Sequence, residues 1–280
     1  MKYPMLLTFA TIIFVALTPW LASGVSVEED LTLTAAQKRA LDQFRAKVIS
    51  KLPEKFMKHD IYLIRFLRAK KFDVNMAEKF ILEDIKWRKE NTISSIHVED
   101  FSDIEDDFKA YVESYDREGK PIITAQFGNW DIRLAVVSGR MRRLERYIDR
   151  TFEVATRKVR KLQAQGKNVT QWDYIINMDN YNVRQHGCVP CLPFYIYLIN
   201  SYENHFPGHA DKIMLINTPP VFELVLNVIR PLMSPLTRRA LKVYNQDKSQ
   251  WQPELFRYVS PDELPPEYGG TKIYTGEAGV

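Results

Sequence analysis

Beyond residue 120 the apolar rhythm of the chain changes, and the new order admits few folds. Residues 122–127, 172–178 and 213–217 are rich in β-formers and read as strands, with a further short strand at 241–244. Between them, residues 138–163, 193–204 and 221–232 carry helical spacing, and a last helix falls near 253–258. Strands alternating with helices build a mostly parallel sheet whose faces are covered by the connecting helices. The predicted class is α/β.

The preceding stretch has a different character. Thr34 reads as an N-cap, followed by Leu41, Phe44, Val48 and Leu52 at helical spacing, and Pro53 ends that helix. Asp60 is the expected cap of a second helix carrying Ile61, Ile64 and Leu67, and a third runs over 74–90. Three helices with no strand between them form an N-terminal unit. An acidic stretch over 99–107 and a polar turn over 115–121 divide it from the α/β part. Residues 1–24 read as a signal peptide: Lys2 leads an apolar run over 5–17, Pro19 breaks it, and Ala22 and Gly24 precede a cut before Val25. A membrane span wants roughly 20 apolar residues, so an uncleaved anchor is the second choice. Asn168-Val169-Thr170 is a glycosylation sequon and suits the same secretory route.

Several function classes drop out. The 280 residues contain no Gly-rich phosphate loop, no G-x-S-x-G elbow and no H-E-x-x-H, so no enzyme is expected. Cys188, Cys191, His205 and His209 have the spacing of a zinc site, but Pro207-Gly208 breaks the helix that both histidines would need. No metal is expected. Two cysteines leave room for one bridge or two free thiols, the free thiols being the default. The segment 140–167 holds ten basic residues against Glu145, Asp149 and Glu153. It reads as a solvated helix face, with docking to an anionic membrane as the alternative; nucleic acid would want more aromatics among those charges. In the run 219–233 only Glu223, Asn227 and Arg230 are polar, all on one side of a helix. So apolar a helix is buried, or covers a cavity, or touches bilayer.

These residues carry a resemblance. Arg65-Phe66-Leu67-Arg68-Ala69-Lys70-Lys71-Phe72-Asp73, followed by Trp87-Arg88, is similar to the N-terminal helical part of the CRAL-TRIO lipid-binding family. Asp116-Arg117-Glu118-Gly119-Lys120-Pro121, Asn204-His205-Phe206-Pro207, Arg230-Pro231-Leu232 and Leu264-Pro265-Pro266-Glu267-Tyr268-Gly269-Gly270 continue it in order. The family includes phosphatidylinositol and phosphatidylcholine transfer proteins, the tocopherol transfer protein and the retinaldehyde-binding protein. The resemblance implies a helical unit over 33–95 and a lipid-binding domain over 108–271 whose sheet floors a lipid cavity. It also implies a non-enzymatic, monomeric carrier that moves its ligand between membranes. The rival reading is a module that docks on membranes or proteins without exchange.

On this reading Phe127, Tyr174, Ile176 and Met178 line the pocket from the strands, and Tyr147, Val154, Phe194 and Leu198 from the helices. The segment 221–233 corresponds to the family's mobile gate, with Val221, Phe222, Leu224, Val225, Val228, Ile229 and Leu232 as its apolar members. Headgroup candidates are Lys70, matching a basic residue near the lipid phosphate, and Thr237. Other headgroup positions depart: Gly208 stands where phosphatidylinositol-binding members have Glu, and Ala240 where they have Lys. Tyr174 and Ile176 replace the hydroxyl residues that hold phosphatidylcholine. A sterol, tocopherol, retinoid or fatty acyl compound therefore fits better than a phospholipid. The signal-like N-terminus places the chain in the secretory route, whereas most of the family is cytoplasmic and membrane-peripheral.

Overall fold

The computed structural model describes residues 27–276; the signal-like residues 1–24 lie outside them. After a short α1 (Val27–Leu31), Thr34 starts α2 (Ala35–Val48) through a capping box in which its hydroxyl accepts the Gln37 N–H at 3.2 Å. In α3 (Asp60–Ala69) the expected cap moves by one residue. His59 holds the N-cap without a side-chain bond, and Asp60 pairs with Arg45 from the first helical turn, where a carboxylate still faces the helix dipole favourably. Asp73 accepts the Met76 N–H at 2.9 Å and starts α4 (Val74–Glu90). Leu41, Phe44, Leu63, Ile64, Leu67 and Ile81 form the core of these helices.

The sheet has five strands in the order β1 (Ala110–Tyr115), β2 (Pro121–Ala125), β3 (Trp172–Asn177), β4 (Ala210–Ile216) and β5 (Leu241–Val243). The first pair is antiparallel and the other three are parallel. Strand β1 falls between the acidic stretch over 99–107 and the polar turn over 115–121, where the sequence suggests no element. It is an edge strand in which the buried positions, Val112 and Ser114, include a polar residue and the others are half-buried, so its apolar alternation is weak. The turn into β2 is built by Asp116, whose Oδ1 accepts the N–H groups of Glu118 and Lys120, with Gly119 at φ +83°. Strand β2 ends at Ala125, two residues short of expectation. Phe127 belongs to a 3-10 turn in which Gly128 lies against the Asp179 carbonyl, where a Cβ would sit 1.6 Å away.

Helix α5 (Ile132–Val137), capped by Asp131, was not read as an element, and it delays the start of α6 (Met141–Ala164) beyond residue 138. Then come α7 (Leu192–His205), α8 (Glu223–Ile229), α9 (Pro235–Ala240) and α10 (Lys248–Tyr258). The segment expected as one helix over 221–232 is α8 flanked by the 3-10 turns Pro220–Phe222 and Arg230–Leu232. Strand side chains alternate between two layers. Ile123, Tyr174, Ile176, Ile213 and Leu215 pack into the core that contains α6 and α7 residues, while Ile122, Ile175, Met214 and Ile216 pack with Trp251 and Leu255 of α10.

The helical unit is bonded to this domain. Arg65 donates to the carbonyls of Gly208 (2.6 Å) and Thr170, Arg88 donates to Glu153 at 2.8 and 2.9 Å, and Trp87 stacks on His205 with ring centroids 3.5 Å apart. Cys188 and Cys191 form a disulfide just before α7, in place of the free thiols expected by default. Among the described residues no helix is long and apolar enough to cross a membrane.

Candidate functional site

A narrow apolar cavity of about 70 Å³ lies between the sheet and the helices α6, α7 and α8. Its floor is made by alternate residues of the central strands, Trp172, Tyr174 and Ile176 from β3 and Ile213 and Leu215 from β4. Helix α7 contributes Tyr195, Leu198, Ile199 and Tyr202, which are spaced i, i+3, i+4 and i+7 and so share one face. The segment around α8 closes the cavity with Phe222, Leu226, Ile229 and Met233, an inward stripe at helical spacing.

Among the described residues no carboxylate, ammonium, guanidinium or imidazole lines the cavity; its polar groups are Thr237, three tyrosine hydroxyls and the Trp172 indole. Most of these are turned to partners in the frame. Tyr195 donates to the His186 carbonyl at 3.2 Å, Tyr202 accepts the Ala210 N–H at 3.0 Å, and the Trp172 indole donates to Thr156 at 3.1 Å. The Thr237 hydroxyl lies 3.0 Å from that of Ser234. Burial pushes the Tyr174 and Tyr202 hydroxyls well above the ordinary phenol range, so both stay neutral. Such a wall favours alkyl or ring surface over any charged group.

Of the eight pocket candidates, Phe127, Tyr174, Ile176, Met178 and Leu198 line this cavity. Tyr147 and Val154 do not. They sit on another face of α6 and wall a recess beside β1, where Tyr147 donates to the Ala110 carbonyl at 3.3 Å. Phe152 is the α6 residue that reaches the cavity, stacked on Trp172 at 5.6 Å. Phe194 is fully buried against Phe127 and Trp130, and its neighbour Tyr195 faces the cavity instead. Trp172, Ile199 and Tyr202 also escaped the sequence reading, although the α7 stripe was visible in the spacing.

The gate candidates separate into two sides. Phe222 and Ile229 line the cavity and Val225 is buried beside them, whereas Leu224, Val228 and Leu232 are exposed and Val221 is half-buried. Leu236 of α9 is exposed as well. Glu223 and Arg230 pair with each other at 2.5 Å on the surface. Among the described residues, no side-chain hydrogen bond or ion pair ties residues 219–232 to the rest of the protein. Backbone bonds from Thr218 to Tyr244 and from Ser234 to the Glu203 carboxylate hold the two ends.

The headgroup candidates are not brought together. Thr237 lines the cavity, while Lys70 lies in the helical unit with its ammonium 3.6 Å from the centre of the Phe80 ring. Gly208 serves the frame: at φ +69° its carbonyl receives Arg65, a conformation that disfavours a side chain. Among the described residues no group of three or more His, Cys, Asp or Glu side chains is placed to hold a metal. Of the zinc-like set, His205 bonds Asp84 at 2.9 Å and the cysteines bond each other. Asn168 is exposed, and its Oδ1 accepts the Val27 N–H at 2.7 Å.

Comparison with known proteins agrees with this architecture. The chain matches the model of the CRAL/TRIO domain over residues 105–270 and that of the CRAL/TRIO N-terminal domain over 40–83. It is 23% identical over 253 residues to a CRAL-TRIO domain-containing protein of Saccharomyces cerevisiae, covering 86% of this chain and 80% of the yeast protein. Patellin-3 of Arabidopsis thaliana is 26% identical over 217 residues, 76% of this chain. Protein real-time of Drosophila pseudoobscura pseudoobscura is 23% identical over 221 residues, again 76% of this chain. The chain spans only 43% of the patellin and 33% of the fly protein. The crystal structure of Sfh5 superposes with a TM-score of 0.67 at 14% identity, over 85% of this chain and 88% of that one, a likeness of fold. With the domain match alone extending over more than half its length, the chain belongs to the CRAL-TRIO family of lipid-binding domains.

Proposed function

We propose that this protein is a non-enzymatic, monomeric carrier that encloses one apolar molecule beneath α8 and moves it between membranes. The observation that carries this reading is a cavity without charged walls among the described residues, closed by a segment that apolar contacts alone hold down between its two bonded ends. Exposing a chain to water costs ~0.8 kcal/mol per methylene, so a 16-carbon chain costs about 13 kcal/mol. A carrier must therefore surround its cargo and open where bilayer replaces the lost contacts.

The size of the cavity defines the closed state. An apolar cavity of roughly 150 Å³ holds one benzene ring, and this one measures about 70 Å³. Loading thus requires α8 and its flanking turns to move outward. Tyr174, Ile176, Gly208 and Ala240 offer no charged contact to a phospholipid headgroup, which favours a sterol, a tocopherol, a retinoid or a fatty acyl compound. The Cys188–Cys191 bridge supports a secretory route, since disulfides persist in oxidising compartments. Expressed protein should then begin near Val25, and a retained Met1 on N-terminal sequencing overturns that placement.

The decisive experiment joins two measurements on protein from its native source. Mass spectrometry of the extracted ligand should find about one apolar molecule per chain. Purified protein should then move a labelled form of that molecule between vesicles. Vesicle docking without transfer would overturn the carrier reading in favour of a docking module.

A further inference from the structure

The basic run of α6 lines a second cleft, apart from the apolar cavity. At helical spacing Arg157, Arg160 and Lys161 share a face, and the ammonium of the neighbouring Lys158 is taken up by the Val112 carbonyl. Three arginines at the start of α6 are neutralised: the N-cap Arg140 pairs with Asp107 at 3.0 Å, Arg143 with Asp103 and Glu99, and Arg146 with Glu99. The second half is not balanced in this way. Its face walls a cleft of about 650 Å³ against residues 54–57, 88 and 94–98 of the helical unit.

Five cationic side chains line that cleft, Arg88, Arg157, Lys158, Arg160 and Lys161, against the two carboxylates of Glu54 and Glu153. Glu153 is already shared between Arg88 at 2.8 Å and Arg160 at 2.6 Å, and Glu54 accepts the Ser94 hydroxyl at 3.3 Å. Arg157 has no ion pair or hydrogen bond among the described residues. Its Nε, Nη1 of Arg160 and Nδ1 of His97 are shielded from solvent and unpartnered; Arg88 Nε is also without a hydrogen bond but lies 3.4 Å from Asp84. Buried donors left without acceptors are costly. Burial and then the neighbouring Arg160 charge pull the Arg157 pKa down, so this guanidinium sits where an anion would relieve it.

We propose that this cleft binds a phosphate monoester, held by Arg157, Arg160 and Lys161 with His97 at its edge. Guanidinium forks match phosphate oxygens in pairs, and a doubly charged tetrahedral anion satisfies several converging donors at once. The cleft is large enough for a small molecule carrying the phosphate. That group is either free in solution or the headgroup of a lipid such as phosphatidic acid.

Calorimetric titration with inorganic phosphate and co-sedimentation with phosphatidic acid vesicles distinguish the sources. Phosphatidylserine vesicles of equal surface charge serve as reference. Arg157→Gln should weaken the binding about tenfold or more. Arg142→Gln, an exposed position near the other end of α6, should leave it unchanged. Arg157 has no bond to lose, so its variant should melt with the wild type. Arg157-dependent binding of inorganic phosphate supports a soluble ligand, and Arg157-dependent preference for phosphatidic acid supports a headgroup. Equal binding by the two variants, or no preference over phosphatidylserine with no phosphate binding, overturns the proposal. Ligand transfer through the apolar cavity should persist in Arg157→Gln, which keeps the two functions separable.

Discussion

Replacing both Leu224 and Val228 with Asp tests the outer face of α8 without touching the closed cavity. The two side chains are 68% and 42% exposed, so together they offer a bilayer about one full apolar side chain. Covering that surface is worth ~1.5–3 kcal/mol. Each new aspartate adds its own cost, up to ~3 kcal/mol at the centre of a bilayer and less near the interface. At 1.4 kcal/mol per decade the lost burial alone should lower vesicle partition by about tenfold to a hundredfold, and the two aspartates should lower it further. The fold should not notice, because surface substitutions shift stability by about 0.5 kcal/mol, or ~2 °C in Tm. Vesicle co-sedimentation and transfer of a labelled apolar ligand read the effect, with thermal melting as control. Binding and transfer within twofold of wild type would refute the reasoning. Val225 and Ile229 are the wrong pair for this purpose: both are 4% exposed, so a charge there breaks the closed state itself.

Three further outcomes follow from the geometry. Leu198→Trp enlarges a half-buried wall residue into a cavity of about 70 Å³; the ligand recovered per chain should fall sharply, at a stability cost of ~1–3 kcal/mol by melting. Arg88→Met leaves the buried Glu153 with Arg160 as its one ion-pair partner among the described residues; losing one side of such a pair costs ~3–5 kcal/mol, so Tm should drop by about 6–20 °C. Asp173 is fully buried, and desolvation raises its pKa to about 7, with Lys212 opposing the shift and Asp116 and Asp211 adding to it. The folded protein therefore holds a proton at Asp173 that the unfolded chain has released between about pH 4 and 7. That preference stabilises the fold below about pH 4 and is lost as pH rises through 7. Asp173→Asn should accordingly gain stability over wild type at pH 8 and match it near pH 4, as read by denaturant titration; a difference independent of pH would contradict this.

The elements that could be read in the sequence are those whose burial is one-sided or complete. Strand β3 is buried at all six positions and shows as a continuous β-rich run, and α7 shows its apolar face at helical spacing. Strand β1 is hidden because four of its six residues are only half-buried and one of the two buried ones is Ser114. Helix α6 posed another difficulty. Half of its 24 residues are buried, against the sheet, against α7 and against the helical unit, so several faces look like a cavity wall. Tyr147, Val154 and Phe152 are equally apolar, and only the packing decides that Phe152 meets Trp172. The Cys188–Cys191 bond overturns the default of free thiols, because spacing alone fits a bridge and free thiols alike.

The closing segment illustrates why weak attachment can be functional. Residues 219–232 are anchored at their ends by backbone bonds to Tyr244 and Glu203, and between those points Phe222, Val225, Leu226 and Ile229 hold it by burial alone. Lifting four such side chains into water costs ~6–12 kcal/mol, so in solution the closed form outweighs the open one by at least about ten thousand to one. Against hydrocarbon the same four contacts are replaced in kind and that cost largely disappears. A gate fastened by hydrogen bonds would lack this selectivity, because a bilayer interior offers no acceptors to replace them. On the proposed carrier function, the absence of charge along the inner stripe, and its confinement to the outward Glu223–Arg230 pair, is what would let a membrane act as the opening signal.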